Sequence, residues 1–154
     1  MNEEWMFFAD AGSLEAFGEA LAQCVDVGDM IALSGGLGAG KTTLARGILR
    51  GLGYGGEAPS PTFAILQGYE LPELRLPVAH VDLYRIESPE EVEELGLSDW
   101  LMDGAVLVEW PERGSAALTA HALQLNLEPE PTGGRGLTAR VPGAWEKRWQ
   151  QLPI

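Results

Sequence analysis

Apolar positions along this 154-residue chain change their period several times, and each change marks an element. Leu14, Phe17, Leu21 and Cys24 recur at the three- and four-residue spacing of a helix face, with Ser13 placed to cap it. Met30-Ile31-Ala32-Leu33 is a short continuous apolar run, the mark of a buried strand. After a glycine-rich stretch, Leu44, Ile48, Leu49 and Leu52 return to helical spacing. Pro59-Ser60-Pro61-Thr62 is a stiff non-helical turn, because proline disfavours helical backbone in the residue before it. It leads to a strand over 63–69. Leu71-Pro72-Glu73 is a connection, and Val78-Ala79-His80-Val81-Asp82 is a second buried strand. Ser88-Pro89-Glu90-Glu91 predicts a helix start, with Ser88 as N-cap, Pro89 at the first position and Glu91 completing a capping box. Gly96 closes that helix.

Ala105-Val106-Leu107-Val108-Glu109 is a further apolar strand, and it ends in a carboxylate. From 121 to 128 the chain alternates, with Leu123, Leu125 and Leu127 on one face and Gln124, Asn126 and Glu128 on the other, as in a half-exposed strand. Gly133-Gly134-Arg135-Gly136 turns it into a partner over 137–141, an antiparallel hairpin. Trp145, Trp149 and Leu152 form a last helical stripe, read as core packing rather than as a ligand cage.

The stretch Gly35-Gly36-Leu37-Gly38-Ala39-Gly40-Lys41-Thr42 joins the first buried strand to the second helical pattern and fits G-x-x-x-x-G-K-[ST] without mismatch. Strand, glycine loop and helix start together make a nest of backbone N–H groups at a positive dipole end, which suits a polyphosphate. Lys41 is placed to bridge the β- and γ-phosphates, Thr42 to ligate Mg²⁺ and Thr43 to reach the α-phosphate. A chance glycine-rich turn is the alternative, and the strand before and helix after argue against it. The expected ligand is a nucleoside triphosphate with Mg²⁺. The expected fold is α/β, a P-loop NTPase-like mixed β-sheet flanked by helices with a C-terminal antiparallel hairpin, in a single domain over 1–154.

Composition narrows the partners. Ten basic residues face 23 acidic ones, for a net charge of −13, and only Lys41 and Lys147 are lysines. Such a surface repels phosphate backbones, so direct nucleic-acid binding is not expected. A basic protein partner and a merely solubilising acidic surface both remain open. No apolar run approaches the roughly 20 residues of a membrane span, and Met1-Asn2-Glu3-Glu4 is acidic where a secretory signal is basic. Cys24, the one cysteine, reads as a small core residue. The expected location is the cytoplasm, with no membrane attachment.

Nucleotide hydrolysis needs a held metal and a group that positions water. Asp82 and Glu109 each end an apolar strand, and in parallel sheets such strand ends converge on the binding crevice. One carboxylate would hold Mg²⁺ while the other orients the attacking water. For either one alone, a surface charge is an equal alternative. Thr62 offers a second hydroxyl near the γ-phosphate, or simply starts a strand. His80 shares the face of Asp82, where a core histidine is the default. Arg85 is a γ-phosphate sensor or a surface ion pair, and His121 has no partner spacing. The absence of N-K-x-D disfavours a guanine-specific GTPase, and the absence of an arginine-rich lid disfavours a small-molecule kinase. A non-hydrolytic nucleotide switch stays open beside an ATPase.

Leu37-Gly38-Ala39-Gly40-Lys41-Thr42-Thr43, Ser60-Pro61-Thr62-Phe63, His80-Val81-Asp82-Leu83-Tyr84-Arg85 and Val108-Glu109-Trp110-Pro111-Glu112 occur in this order, and together they resemble the bacterial TsaE family. The resemblance spans nearly the whole chain. It implies a small ATPase that serves the TsaD and TsaB proteins, which install threonylcarbamoyl on the adenosine beside the tRNA anticodon. Activity alone would be weak, and tRNA would be met only through those partners. The family's roles fall on Lys41 and Thr42 for phosphates and Mg²⁺, Asp82 for the metal environment and Glu109 for metal and hydrolysis. Gly35, Leu37, Gly38, Ala39, Gly40 and Thr43 complete the loop. Segment 60–63, with Thr62, corresponds to a switch-like element, Trp110 to a tryptophan beside the site, and Arg135 to the hairpin approaching the nucleotide. The chain departs from the family at Gly36, where an acidic residue is common.

Overall fold

Every strand pattern above finds a place in one seven-stranded sheet of order β1-β7-β6-β2-β5-β4-β3 in the computed structural model, which describes residues 2–56 and 65–152. The strands are β1 (Asn2–Phe8), β2 (Met30–Ser34), β3 (Leu66–Tyr69), β4 (Val78–Asp82), β5 (Ala105–Glu109), β6 (Leu123–Pro129) and β7 (Arg135–Val141). The largely apolar runs β2, β4 and β5 lie side by side and parallel, and β6 joins β2 in parallel from the other side. Strands buried on both faces have no polar side to alternate, which is why these read as continuous apolar runs. β7 folds back on β6 as the expected antiparallel hairpin, β1 pairs antiparallel with β7, and β3 pairs antiparallel with β4.

Alternation along each strand divides the core in two. Ile31, Leu33, Val78, Ala105 and Leu107 face the helices α1 (Ala11–Ala22) and α2 (Lys41–Gly51). Ala79, Val81, Val106 and Val108 face the other side, where Val92 of a 3₁₀ segment (Pro89–Leu95) and Leu97 of α3 (Leu97–Asp103) cover them. Trp145, Trp149 and Leu152, around the short helix α4 (Glu146–Gln150), are buried on the α1 side, as core packing. Cys24 is half-buried there as well. Burial raises its thiol pKa against the pull of Arg148, the opposite of a reactive thiolate.

Two local expectations change, and two elements are added to those the pattern predicts. Ser13 is not the N-cap of α1. Asp10 is, its Oδ1 accepting from the Ser13 N–H at 2.8 Å, while Ser13 Oγ accepts in return from the Asp10 N–H. An aspartate one turn earlier captures the free amide, so the helix starts sooner. The capping box at Ser88 does not form. Glu91 Oε2 accepts from the Glu87 N–H at 3.0 Å, and the segment winds as a 3₁₀ helix that Gly96 ends at φ 69. The same Gly96 opens α3, which the sequence pattern had not marked. β1 was likewise unmarked, because only Phe8 of it is buried. The turn 59–62 and the first two residues of the predicted strand 63–69 lie outside the described residues; Ile65 is a bend at φ 37, and β3 covers 66–69.

α1 and α2 touch backbone to backbone. A Cβ on Gly18 would lie 2.7 Å from Leu44 O, and one on Gly47 would lie 2.2 Å from Glu15 O. Contacts that short exclude any side chain. Arg50 of α2 reaches back to Glu15 at 2.6 Å. This contact sets how deeply α2, and the loop before it, sits on the sheet. Gly47→Ala should therefore lower the unfolding free energy by about 1–3 kcal/mol through overpacking, although alanine is the better helix former. Gly12→Ala, whose Cβ meets only Asp10 Oδ1 at 3.5 Å, should raise it by about 0.5–1 kcal/mol. Urea midpoints of the two variants moving in the same direction would refute this account of the interface.

Candidate active site

β2 ends at Ser34 and α2 begins at Lys41, so the glycine loop fills the gap between the sheet and a helix that lies on it. Gly35 has φ 138 and a Cβ there would meet Leu127 O at 2.4 Å, while Gly40 has φ 108 and a Cβ there would meet Leu14 Cδ2 at 2.8 Å. Both positions combine left-handed backbone with a wall, so glycine is required. No side chain caps the start of α2, which leaves its first-turn N–H groups to the cleft in front of it. That cleft has a volume of about 620 Å³.

Lys41 is buried, and its Nζ donates to Gly35 O at 2.7 Å and Gly36 O at 2.8 Å. The Trp110 ring lies under the same ammonium, 4.3 Å from Nζ to centroid. Burial holds the Lys41 pKa below its usual value, while Glu109, Asp82 and Glu112 pull it back up. From the other side, Arg135 of β7 donates through Nε to Ala39 O at 3.1 Å and through Nη2 to Gly38 O at 3.0 Å. Two cations thus hold four carbonyls of one loop.

The carboxylates come from β4 and β5. Val78 and Leu107 face α1 and α2, so by strand alternation His80, Asp82 and Glu109 point to that same side. In the parallel register Asp82 stands opposite Glu109, which sets two acids side by side at the loop end of the sheet. Asp82 is 5% exposed and Glu109 2%. Asp82 Oδ1 accepts from the Tyr84 N–H at 2.9 Å, and Glu109 Oε2 lies 2.5 Å from His80 Nε2. Two buried carboxylates beside one lysine leave an excess of negative charge, a donor set that suits a divalent cation. Trp110, directly after Glu109, adopts φ 59 and ψ 49, a left-handed backbone that a bulky residue rarely takes. Its N–H donates to Leu33 O at 3.2 Å, and its ring meets that of Tyr84 at 4.8 Å. The strained turn places the indole between lysine and tyrosine.

The cleft is lined by residues 37–43, Asp82, Glu109, Trp110 and Arg135, and the carbonyl of Gly35 anchors the lysine just behind it. Arg85 lines it too, whereas His80 lies beneath it and His121 is exposed. Arg135 braces the loop as well as facing the cleft. Thr62 and the rest of segment 60–63 are outside the described residues. Asp10 and Tyr84 were not singled out from sequence. Tyr84 carried a signal, since it sits inside the His80–Arg85 motif, but Asp10 reads locally as nothing more than a helix cap. Gly36 has open space around a built Cβ, so the loop would accept a side chain there.

Comparisons with known proteins agree with one another. The family model for "Threonylcarbamoyl adenosine biosynthesis protein TsaE" matches residues 8–137. A tRNA threonylcarbamoyladenosine biosynthesis protein TsaE of Haemophilus influenzae is 35% identical, covering 83% of this chain and 84% of its own length. Its counterpart in Synechocystis is 43% identical over 73% of this chain and 74% of that protein. The crystal structure of Bacillus subtilus YdiB superimposes with a TM-score of 0.76 at 26% identity, covering 98% of this chain and 94% of that one. The fold is the mixed α/β arrangement expected from the strand and helix pattern.

Because the Lys41 pKa is lowered in the folded state, the native protein releases that proton at lower pH than the unfolded chain does. Between the lowered value and 10.5 the unfolded state binds more protons, so the native state gains stability as pH rises through that window. Urea unfolding of the wild type and Lys41→Met across alkaline pH should show the wild type gaining on the variant toward pH 10.5. A constant difference would mean the ammonium is not desolvated.

Proposed function

The chain belongs to the TsaE family and so takes part in tRNA threonylcarbamoyladenosine biosynthesis, and within that role we propose that it is a Mg²⁺-dependent ATPase. The observation that carries the reading is the pairing of Asp82 and Glu109 in register beside Lys41 at the mouth of a complete phosphate-binding loop. The uncapped start of α2 and the loop amides would hold the phosphates of ATP. Lys41 would exchange the carbonyls of Gly35 and Gly36 for β- and γ-phosphate oxygens, which accept its charge more strongly.

The Thr42 hydroxyl and the two carboxylates fit Mg²⁺, which keeps several waters and takes one or two carboxylates along with phosphate oxygens. When bound, Mg²⁺ supplies neutralisation of the charge that develops on the transferred phosphoryl group. Asp82 is steadied for this by the Tyr84 N–H. Glu109 orients the attacking water and accepts its proton, and burial among apolar strands strengthens that interaction. Trp110 shields Lys41 from bulk water, and Arg135 keeps the outer carbonyls of the loop in place.

TsaD and TsaB are the proposed partners, with tRNA reached only through them, in keeping with a net charge of −13. Among the described residues no helix is long and apolar enough to cross a membrane, and we place the work in the cytoplasm.

Basal hydrolysis should be slow and should rise when TsaB and TsaD are added, as phosphate release reports. No stimulation together with no binding to either protein would remove the reading. Lys41→Ala should lose nucleotide affinity and turnover together, by about 10- to 150-fold, the equivalent of roughly 1.5–3 kcal/mol for charge-assisted bonds. Glu109→Gln should bind ATP normally yet fail to support modification in a reconstituted assay. Full modification by that variant would replace hydrolysis with a nucleotide-binding switch.

A further inference from the structure

His80 is fully buried on β4, on the face shared with Asp82 and Glu109. Its Nε2 lies 2.5 Å from Glu109 Oε2. Its Nδ1 is buried with no hydrogen-bond partner among the described residues. Buried polar atoms are normally paired, and among the described residues this nitrogen is not. A neutral imidazole carries one N–H. Placed on Nδ1, that hydrogen would be a stranded donor, whereas placed on Nε2 it leaves only a bare lone pair, the smaller deficit. The Nε2–H therefore donates to Glu109.

The register explains why Glu109 can be reached. His80 stands opposite Leu107 on the neighbouring strand, one same-face step below the Asp82–Glu109 pair, so the longer Glu109 side chain leans back toward the ring. The two acids thus have different holders. Asp82 is fixed by a backbone N–H two residues along its own chain, and Glu109 by a side chain from the adjacent strand. A glutamate has one more rotatable bond than an aspartate and needs a contact near its tip to define the plane of its carboxylate.

We propose that His80 is a positioning residue for Glu109: by donating to Oε2 from below, it sets the rotation of the carboxylate and leaves Oε1 directed into the cleft. This rests on the reading of Glu109 as the carboxylate that orients water. A ring retained only to fill the core would be matched by an apolar side chain of similar size, and it would not have to meet Glu109 at all.

The test pairs His80→Leu, which removes the donor, with His80→Gln, whose amide N–H extends to about the position of Nε2. His80→Leu should lower kcat for ATP by about 10- to 100-fold, the usual effect of losing a group that orients a site ligand, while KM for ATP barely moves. His80→Gln should recover most of kcat. In a Glu109→Gln background, His80→Leu should add no further loss, since the two changes act through one carboxylate. Wild-type kcat in His80→Leu, failure of His80→Gln to recover, or additive losses in the double variant would each overturn the proposal. A wild-type chain without ATPase activity would instead count against the ATPase reading alone. The His80 contact is then read in the ligand-free protein by side-chain nitrogen NMR. An Nε2–H tautomer whose proton signal shifts in Glu109→Leu is the expected result, and an Nδ1–H tautomer or an unshifted signal would overturn it.

Discussion

A glycine loop between a strand and the helix lying on the sheet must find partners for its carbonyls, and the rest of this structure follows from how that is met. Lys41 takes the carbonyls of Gly35 and Gly36 from within, and Arg135 takes those of Gly38 and Ala39 from outside. Each cation is supplied by an element whose position depends on distant packing. Lys41 is the first residue of α2, which is seated by backbone contact with α1 through Gly18 and Gly47. Arg135 is the first residue of β7, seated by pairing with both β6 and β1. The geometry of six loop residues is thus set by helix packing on one face of the sheet and by strand pairing near one of its edges.

The chemistry on the opposite wall depends on register. Parallel strands with identical spacing bring Asp82 and Glu109 abreast, and they are both buried beside a lysine whose own charge is disfavoured by burial. Three ionisable groups in so dry a place interact far more strongly than on the surface. Trp110 adds to this by spending strained backbone to lay its ring under the ammonium.

Local patterns in the sequence were enough for the parallel core. β2, β4 and β5 are short, mostly apolar runs, and a glycine-rich motif joins β2 to α2. The alternating β6 and its hairpin partner were equally clear. What was hidden depends on contacts between segments far apart. β1 has no periodic signature because Trp5 and Phe7 are 61% and 48% exposed, their rings lying across Gly136 of β7 and Gly134 in the turn before it rather than in a core. The start of α1 turned on whether Asp10 or Ser13 captured a free amide, and both residue types cap well. His80 was visible as a neighbour of Asp82, but its contact with Glu109 requires knowing that β4 and β5 are adjacent. Arg135 was placed near the nucleotide, and its hold on the loop carbonyls could not be read from a motif.

The pairing of β1 with β7 joins Asn2 to Val141, nearly the two extremes of the described chain. During synthesis, β1 has no strand to pair with until β7 has left the ribosome. Long-range pairing of this kind is slow to form, and an unpaired strand edge is exposed while it waits. β7 also delivers Arg135 to the glycine loop. A nascent chain that already contains the entire loop and both carboxylates therefore still lacks the loop's outer brace, and the cleft is completed only once β7 has been made.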